Sequence, residues 1–210
     1  MLDKSGDLIM RHPVRERLNH WTTAIAFLFL FVSGLAMFHP FFFWASFLFG
    51  GGQLMRALHP LAGVVMAVSF YSYAAQVWRD NRWLPADTQW MTRMWYFMRM
   101  EYHPTDTGKY NAGQKLMFWS MVPLIAVLLC TGVLLWQPYF APYAAPGLRR
   151  LAGLVHATCA FIMFIGIGVH WYAAYWTKGS VRSMVRGTVS QAWARYHHPA
   201  WYRDLMGGRV

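Results

Sequence analysis

Four long stretches of the chain lack charged side chains entirely. No Lys, Arg, Asp or Glu occurs in residues 18–55, 57–78, 116–148 or 151–177. A helix that crosses a bilayer needs about 20 mostly apolar residues. The pattern therefore predicts an all-α protein, an integral membrane four-helix bundle. Its spans are expected at about residues 21–38, 60–78, 116–136 and 151–176 of a single membrane domain, residues 1–210.

Shorter segments beside these spans carry their own signals. The apolar run Pro40–Phe49 is too short to cross a membrane, so it predicts an interfacial or re-entrant piece. Pro60 suits a first helical turn, at the start of the second span.

The segment Asp87–Met100 mixes Arg with Trp, Met and Phe, which predicts an amphipathic helix at the membrane surface. It belongs to a cytoplasmic loop at about residues 79–115, and a cytoplasmic tail is expected at about residues 178–210. The first apolar stretch is too long for a cleaved signal peptide, so we expect it to be retained as a span.

The positive charge of the chain follows this predicted topology. There are 19 Lys and Arg against 8 Asp and Glu, a net charge of +11, although only 13% of the residues are charged. With both termini and the middle loop in the cytoplasm, 16 of the 19 basic residues lie inside and 3 lie outside. This is the positive-inside asymmetry of membrane proteins. A nucleic-acid binder would cluster its basic and aromatic residues on one face, so no nucleic-acid partner is expected.

Four histidines lie at or inside the predicted spans, namely His20, His59, His156 and His170. An ionisable side chain in this position is costly and points to a functional site. His156 and His170 lie on one helix, about 21 Å apart along its axis and within roughly 40° of the same direction. By depth, the four histidines sort into a cytoplasmic pair, His20 with His170, and an outer pair, His59 with His156.

Two histidine pairs at two depths of a four-helix bundle suit two b-type haems, each iron held between two imidazoles. A haem with both axial positions filled transfers electrons and does not bind substrate. The alternative for any one of these histidines is a hydrogen-bonded packing role. His39, at the end of the first span, is a rival for the outer pair. A solvated or capping role is the default expectation for five histidines: His12, His39, His103, His197 and His198.

The segment Asp106–Lys115, which leads into the third span at the cytoplasmic side, contains a second candidate site. Asn111 and Gln114 offer hydrogen bonds to a quinone carbonyl, and Gly113 would let a flat ring approach the backbone. The alternative from spacing alone is a simple turn that caps the helix.

Six motifs are distributed over almost the whole chain. They are R-x-x-H-W around His20, L-H-P-x-x-G-V-V-M around His59, D-T-G-x-Y-N-x-G-Q-K before the third span, W-Q-P-Y-F-A-P after it, H-x13-H on the fourth span, and W-A-x-x-H-H-P-x-W-Y-R in the tail. Together they resemble the gamma subunits, dihaem cytochromes b, of respiratory membrane-bound formate dehydrogenases. H-x13-H alone would not be specific, because the cytochrome b subunits of nickel–iron hydrogenases share a similar haem framework.

The resemblance implies two haems b and a quinone pocket in the bacterial inner (cytoplasmic) membrane. The ligands that it implies are His59 and His156 for the haem nearer the periplasm, and His20 and His170 for the haem nearer the cytoplasm. The residues that it implies for menaquinone or ubiquinone are Asn111, Gly113 and Gln114.

The resemblance also implies an iron–sulfur beta subunit and a molybdenum- or tungsten-dependent catalytic alpha subunit as partners. This chain would then be an electron-transfer subunit that carries electrons from the iron–sulfur subunit to quinone. It has no molybdopterin or iron–sulfur motif for the formate chemistry. The alternatives are a cytochrome b subunit of a nickel–iron hydrogenase or of another periplasm-facing oxidoreductase, and a small transporter with proton-relay histidines.

Overall fold

The computed structural model describes residues 7–99 and 105–207. Met100 and His103, which figure in the predictions above, lie outside these ranges. Within them the chain is almost entirely helical, with one pair of short β-strands. The helices are α1 (Val14–Phe38), α2 (Gly52–Val77), α3 (Pro85–Thr92), α4 (Met94–Met98), α5 (Ala112–Leu135), α6 (Pro146–Trp176), α7 (Ser180–Arg186), α8 (Gln191–His197) and α9 (Pro199–Gly207), and the strands are β1 (Leu8–Met10) and β2 (Thr188–Ser190).

Four of the helices, α1, α2, α5 and α6, are long and apolar enough to cross a membrane. In the most apolar 18-residue window of each, no more than 28% of the residues are buried within the chain. A soluble protein would not expose so much contiguous apolar surface. The prediction of an all-α fold with four candidate spans is therefore confirmed.

The second of these helices begins earlier than its predicted span. Helix α2 starts at Gly52, and Pro60 lies inside it, so the assignment of Pro60 to a first helical turn is wrong. The start is set instead by Gly50 and Gly51, whose φ values of 78° and 101° lie in the left-handed region that glycine tolerates best. The prediction began the span after Arg56 because a charge is costly in lipid, but a charge does not prevent a helix.

The apolar run Pro40–Phe49 forms a 3-10 helix and not a fifth span. Its large side chains are mostly exposed, including Phe47 at 79%. His39 is its N-cap residue, because the His39 Nδ1 accepts a hydrogen bond from the Phe41 N–H at 3.2 Å. The His39 side chain therefore has a local structural role, and it is exposed.

The predicted amphipathic segment Asp87–Met100 is divided in two. Helix α3 ends at Thr92 and α4 begins at Met94, so the chain breaks its helical course at Arg93. Trp95 on α4 is exposed, and the Arg99 guanidinium lies 5.0 Å from the centre of its ring. A single continuous helix over this segment is therefore not observed.

The chain divides into two compact units. The first, here called the bundle unit, comprises residues 18–73 and 120–169. The second, here called the terminal unit, comprises the described parts of residues 1–17, 74–119 and 170–210.

In the bundle unit, polar and aromatic contacts join neighbouring helices. Helices α1 and α2 meet where the hydroxyls of Thr23 and Ser69 lie 2.9 Å apart. The Tyr71 hydroxyl on α2 donates to the Val122 carbonyl on α5 at 2.7 Å. A further contact is the stacked pair of Phe31 on α1 and Phe164 on α6, with ring centres 4.5 Å apart. These contacts place α1, α2, α5 and α6 around one bundle.

In the terminal unit, the N-terminal segment is attached to the C-terminal tail. Strand β1 pairs with β2 in antiparallel orientation. The Arg11 guanidinium lies 4.6 Å from the centre of the Trp193 ring, in a cation–π contact. Ile9, Val189 and Ala194 form a small apolar core beside this sheet.

Two histidines of the terminal unit, for which a solvated or capping role was expected, are buried and therefore not solvated. His198 does have a capping role, since it is the C-cap residue of α8. His12 is 3% exposed and its Nδ1 lies 3.0 Å from the Glu16 carboxylate. His198 is 2% exposed and its Nδ1 lies 2.7 Å from the Gly108 carbonyl oxygen. Burial, reinforced by the nearby Arg11 guanidinium, holds the pKa of His198 well below its ordinary value of 6.5.

We expect this burial to make the terminal unit sensitive to acid. Below pH 6.5 the unfolded chain protonates His198 while the folded protein keeps it neutral, so the unfolded state binds more protons. The free energy of unfolding should then fall as the pH drops below 6.5, by up to about 1.4 kcal/mol per pH unit for one histidine.

The measurement is the thermal unfolding midpoint in detergent at neutral and acidic pH. His198→Asn keeps an N–H for the Gly108 carbonyl but cannot be protonated, so its midpoint should fall less on acidification. An equal fall in the variant and the parent protein would contradict this assignment.

Candidate functional site

Two of the four predicted site histidines lie side by side in the bundle unit. His59 on α2 and His156 on α6 have ring centres 6.4 Å apart, with their planes inclined at 57°. Both side chains are half-buried. The residues are 97 positions apart in sequence, so the tertiary structure alone brings these rings together.

Each of these two rings is hydrogen-bonded to a hydroxyl on a neighbouring helix. The Nδ1 of His59 lies 2.7 Å from the Ser33 Oγ on α1. The Nδ1 of His156 lies 2.8 Å from the Thr131 Oγ1 on α5. Ser33 and Thr131 are buried within the helix contacts. The two halves of the bundle therefore repeat one arrangement, a hydroxyl on one helix and a histidine on the next.

A glycine follows each of these hydroxyl residues and lies against the same ring. A Cβ built on Gly34 would stand 3.7 Å from the His59 Cε1, and one on Gly132 would stand 3.4 Å from the His156 Cε1. Both distances are those of ordinary van der Waals contact, so an alanine would fit beside each ring.

The other two histidines fall in different units. His20 belongs to the bundle unit and packs edge-on against Trp21 and Tyr73, with ring centres 5.4 Å and 6.3 Å away. His170 belongs to the terminal unit, where it lies half-buried on α6. Helix α6 runs unbroken from Pro146 to Trp176, so His156 and His170 are on one helix, as predicted. The pairing of His20 with His170 stays a prediction.

The second candidate site, Asn111, Gly113 and Gln114, forms the start of α5. The Asn111 N–H donates to the Gln114 Oε1, and the Gln114 N–H donates to the Asn111 Oδ1, both at 3.0 Å. This reciprocal pair is a capping arrangement of the type S/T-x-x-E/Q. It agrees with the capping alternative that the spacing left open. The two amide NH2 groups are the atoms that could donate to a quinone carbonyl.

An indole ring packs beside the backbone of Gly113. A Cβ built on Gly113 would stand 3.2 Å from an atom of the Trp90 ring. Any larger residue here would require the Trp90 indole, which packs α3 against α5, to shift by a few tenths of an ångström. This reason for a glycine differs from the quinone contact that the sequence suggested, and it applies without any ligand.

The segment before α5 is held at several points within the terminal unit. Thr107 donates to the His197 carbonyl at 2.8 Å, and Lys109 lies between the carboxylates of Glu16 and Asp80, at 3.2 Å and 3.0 Å. These contacts give the D-T-G-x-Y-N-x-G-Q-K motif a structural role. They also fix the position of Asn111 and Gln114.

The family model described as "Prokaryotic cytochrome b561" matches residues 11–187. This chain belongs to the prokaryotic cytochrome b561 family. A cytochrome b binds haem b, so membership implies this cofactor and, with the four apolar helices, an integral membrane protein.

This cytochrome is also similar to individual curated proteins. It is 41% identical over 202 residues to the cytochrome b556(fdo) subunit of formate dehydrogenase from Escherichia coli, covering 96% of this chain and 95% of that protein. It is 39% identical over 197 residues to the formate dehydrogenase cytochrome b556 subunit of Haemophilus influenzae, covering 93% of this chain and 83% of that protein. The identity with the nitrate-inducible Escherichia coli formate dehydrogenase cytochrome b556(Fdn) subunit is 39% over 199 residues, covering 94% of this chain and 92% of that protein. The resemblance suggested by the motifs is confirmed.

The geometry of His59 and His156 fits a haem iron between them. An iron bonded on each side to an imidazole nitrogen at about 2 Å would hold the two ring centres about 6 Å apart. The observed 6.4 Å agrees with this separation. The donor set is also suitable, because neutral imidazole is a common iron ligand.

Sequence reasoning did not identify Ser33 or Thr131. A signal was available, since each is the hydroxyl residue of an S-G or T-G pair in the helix that precedes a candidate ligand. The hydroxyl and the histidine are separated by 26 residues in one half and by 25 in the other. Only the contacts reveal that these hydroxyls meet the rings.

Proposed function

We propose that this cytochrome is the dihaem b subunit of a respiratory formate dehydrogenase. It would anchor the complex in the membrane and conduct electrons from an iron–sulfur subunit to quinone. The observation that carries the proposal is the separation of the His59 and His156 rings, which is suitable for one shared iron. The similarity of the chain to formate dehydrogenase cytochrome subunits supports it.

The four histidines would hold two haems b at two depths of the bundle. His59 and His156 would hold the haem nearer the periplasm, and His20 and His170 the haem nearer the cytoplasm. The 14-residue separation of His156 and His170 on α6 corresponds to about 21 Å along the helix. When bound, the haems would supply one-electron transfer between the two faces of the membrane.

The chain's charges support an orientation for this conductor. If the basic termini and the middle loop lie in the cytoplasm, the His20 and His170 end faces the cytoplasm. Quinone would be reduced at that end with protons from the cytoplasm, so electron flow would build a membrane potential. The partners would be an iron–sulfur beta subunit and a molybdenum- or tungsten-dependent alpha subunit in the bacterial inner membrane.

Asn111 and Gln114 would contribute hydrogen-bond donors to the quinone pocket, and Gly113, beside which the Trp90 indole packs, would lie at its edge. The capping hydrogen bonds use the amide oxygens of Asn111 and Gln114. The amide NH2 groups would donate to one carbonyl of menaquinone or ubiquinone. The hydrogen bonds that anchor residues 107–109 would keep these donors in place, which lowers the entropic cost of binding.

Purification of the intact complex from its native membrane tests the proposal. We expect a reduced-minus-oxidised b-type spectrum, two haems per chain, and copurifying iron–sulfur and formate-oxidising subunits identified by mass spectrometry. A nickel–iron hydrogenase large subunit in their place would favour the hydrogenase alternative. Absence of a haem spectrum from the purified complex would refute the electron-transfer function altogether.

In the same preparation, Gln114→Ala tests the quinone residues. We expect at least about a tenfold weaker inhibition by a quinone analogue, because one hydrogen bond in a desolvated site is lost. Both haems should be retained. Gln114→Glu provides the matched control for capping, since its carboxylate can still accept from the Asn111 N–H but has no NH2 group. Because both variants lack the NH2 group, both should be inhibited more weakly than the parent protein. If the quinone analogue inhibits Gln114→Glu as strongly as the parent protein, the assignment of Gln114 to the quinone pocket is wrong.

A further inference from the structure

We propose that Ser33 and Thr131 are positioning residues for the iron ligands and that they lower the redox potential of the haem between His59 and His156. The inference rests on the proposed function, which makes these two histidines iron ligands. It goes further by assigning the proton on each ring and by naming the groups that adjust the potential.

The direction of each hydrogen bond follows from a short contact within the helices. Besides the ring, the Ser33 Oγ contacts the Phe29 carbonyl oxygen at 2.7 Å, and the Thr131 Oγ1 contacts the Val127 carbonyl oxygen at 2.6 Å. A carbonyl has no proton to give, so each hydroxyl must donate its single proton to that carbonyl. The hydroxyl oxygen then accepts a proton from the histidine.

These hydrogen-bond directions determine the tautomer of both imidazole rings. In His59 and in His156, Nδ1 carries the proton and donates it to the hydroxyl. The Nε2 of each ring therefore keeps its lone pair, which is the form that binds a metal. A hydroxyl that donates backwards to its own helix is also inexpensive to place in a membrane, because its proton is already satisfied.

The same arrangement affects the electronic state of the ligands. Each Nδ1–H donates to a hydroxyl that is itself donating to a carbonyl, and such chains of hydrogen bonds strengthen one another. Donation from Nδ1 increases the electron density at Nε2. A more electron-rich ligand stabilises the oxidised iron relative to the reduced iron, so the potential is lower than it would be without the hydroxyls.

Redox titration of the intact complex tests the proposal. Ser33→Ala removes the acceptor for His59, and Thr131→Val removes the acceptor for His156 with little change in volume. In each variant we expect the ratio of reduced to oxidised haem at a fixed potential to rise about tenfold, which is about 59 mV for one electron. Both haems should be retained. The shifts should fall on the same haem and add in the double variant.

The control variants separate this effect from a general change in packing. Ser33→Thr and Thr131→Ser keep the acceptor and should keep the parent potential. Ser69→Ala removes a hydroxyl of α2 that bonds Thr23 and the Met66 carbonyl, and it should not shift either potential. If Ser33→Ala loses haem, Ser33→Cys, with its weaker sulfur acceptor, takes its place.

The outcomes distinguish this inference from the proposed function. An unchanged potential with full haem content in the Ser33 and Thr131 variants would overturn the inference, and so would an equal shift in Ser69→Ala. Shifts on two different haems would overturn the assignment of both hydroxyls to one haem, together with the pairing of His59 with His156 in the proposed function.

Discussion

Replacing His156 by alanine is expected to remove one of the two haems proposed for this cytochrome. Without one of the two imidazoles that would hold it, the iron would keep a single protein ligand and the haem would be lost. His59→Ala should have the same effect, because the rings of His59 and His156 are suitably spaced for one shared iron. The measurement is the haem-to-protein ratio of the purified complex.

Double variants make the test specific for the pairing. His59→Ala with His156→Ala should still retain one haem, because both substitutions empty the same site. His59→Ala with His170→Ala should retain none. If the first double variant has no haem, or the second keeps one, the four histidines are paired differently.

Two further measurements separate the loss of a ligand from misfolding. His39→Ala serves as the control, because the exposed His39 side chain caps a 3-10 helix, and its haem content should match the parent protein. Imidazole added to His156→Ala should restore part of the lost haem by replacing the missing ring. In the proposed complex, formate oxidation with an artificial dye as electron acceptor should survive in every variant, while electron transfer to quinone should be abolished only in the variants that lose haem.

Breaking the buried ion pair between Lys115 and Asp87 is expected to destabilise the terminal unit by about 3–5 kcal/mol. The Lys115 Nζ lies 2.7 Å from the Asp87 Oδ2, and both side chains are only 1% exposed. Lys115 also donates to the Arg82 carbonyl at 2.9 Å, and Asp87 accepts from the Leu84 N–H at 2.7 Å. Lys115→Met would leave a buried carboxylate without its cation.

The neutral double variant separates the cost of an unpaired charge from the contribution of the pair. Lys115→Met with Asp87→Asn buries no charge and still offers an oxygen to the Leu84 N–H, so it should recover most of the lost stability. Thermal unfolding midpoints in one detergent provide the measurement. Arg203→Gln is the matched control, because the Arg203–Asp106 pair is exposed and its loss should change the midpoint little. If the double variant is no more stable than Lys115→Met alone, the unpaired charge is not the cause.

The ion pair also shows what pattern reasoning overlooked. Lys115 is the last residue of the predicted cytoplasmic loop, and a lysine in such a loop is usually solvated. Here it is almost fully buried, because α3 returns Asp87 to the start of α5. In the same way, a solvated or capping role was expected for His12 and His198, whereas contacts with distant segments accompany the burial of both side chains.

Local patterns were sufficient for much of the architecture. Charge-free stretches predicted the four long helices because the cost of a charge in lipid applies to each residue separately, whatever its neighbours. The separation of His156 and His170 on one helix also follows from local geometry, because the rise per residue is constant. Spacing and motifs alone suggested the family to which the chain belongs.

Contacts between distant parts of the chain were decided only by the tertiary structure. It brought the His59 and His156 rings to 6.4 Å, and it assigned Ser33 and Thr131 to them. It also packed the Trp90 indole beside the backbone of Gly113. The physical reason is that an apolar helix in lipid has no strong sequence signal for which face meets which neighbour. That choice depends on the packing and hydrogen bonds of the assembled bundle.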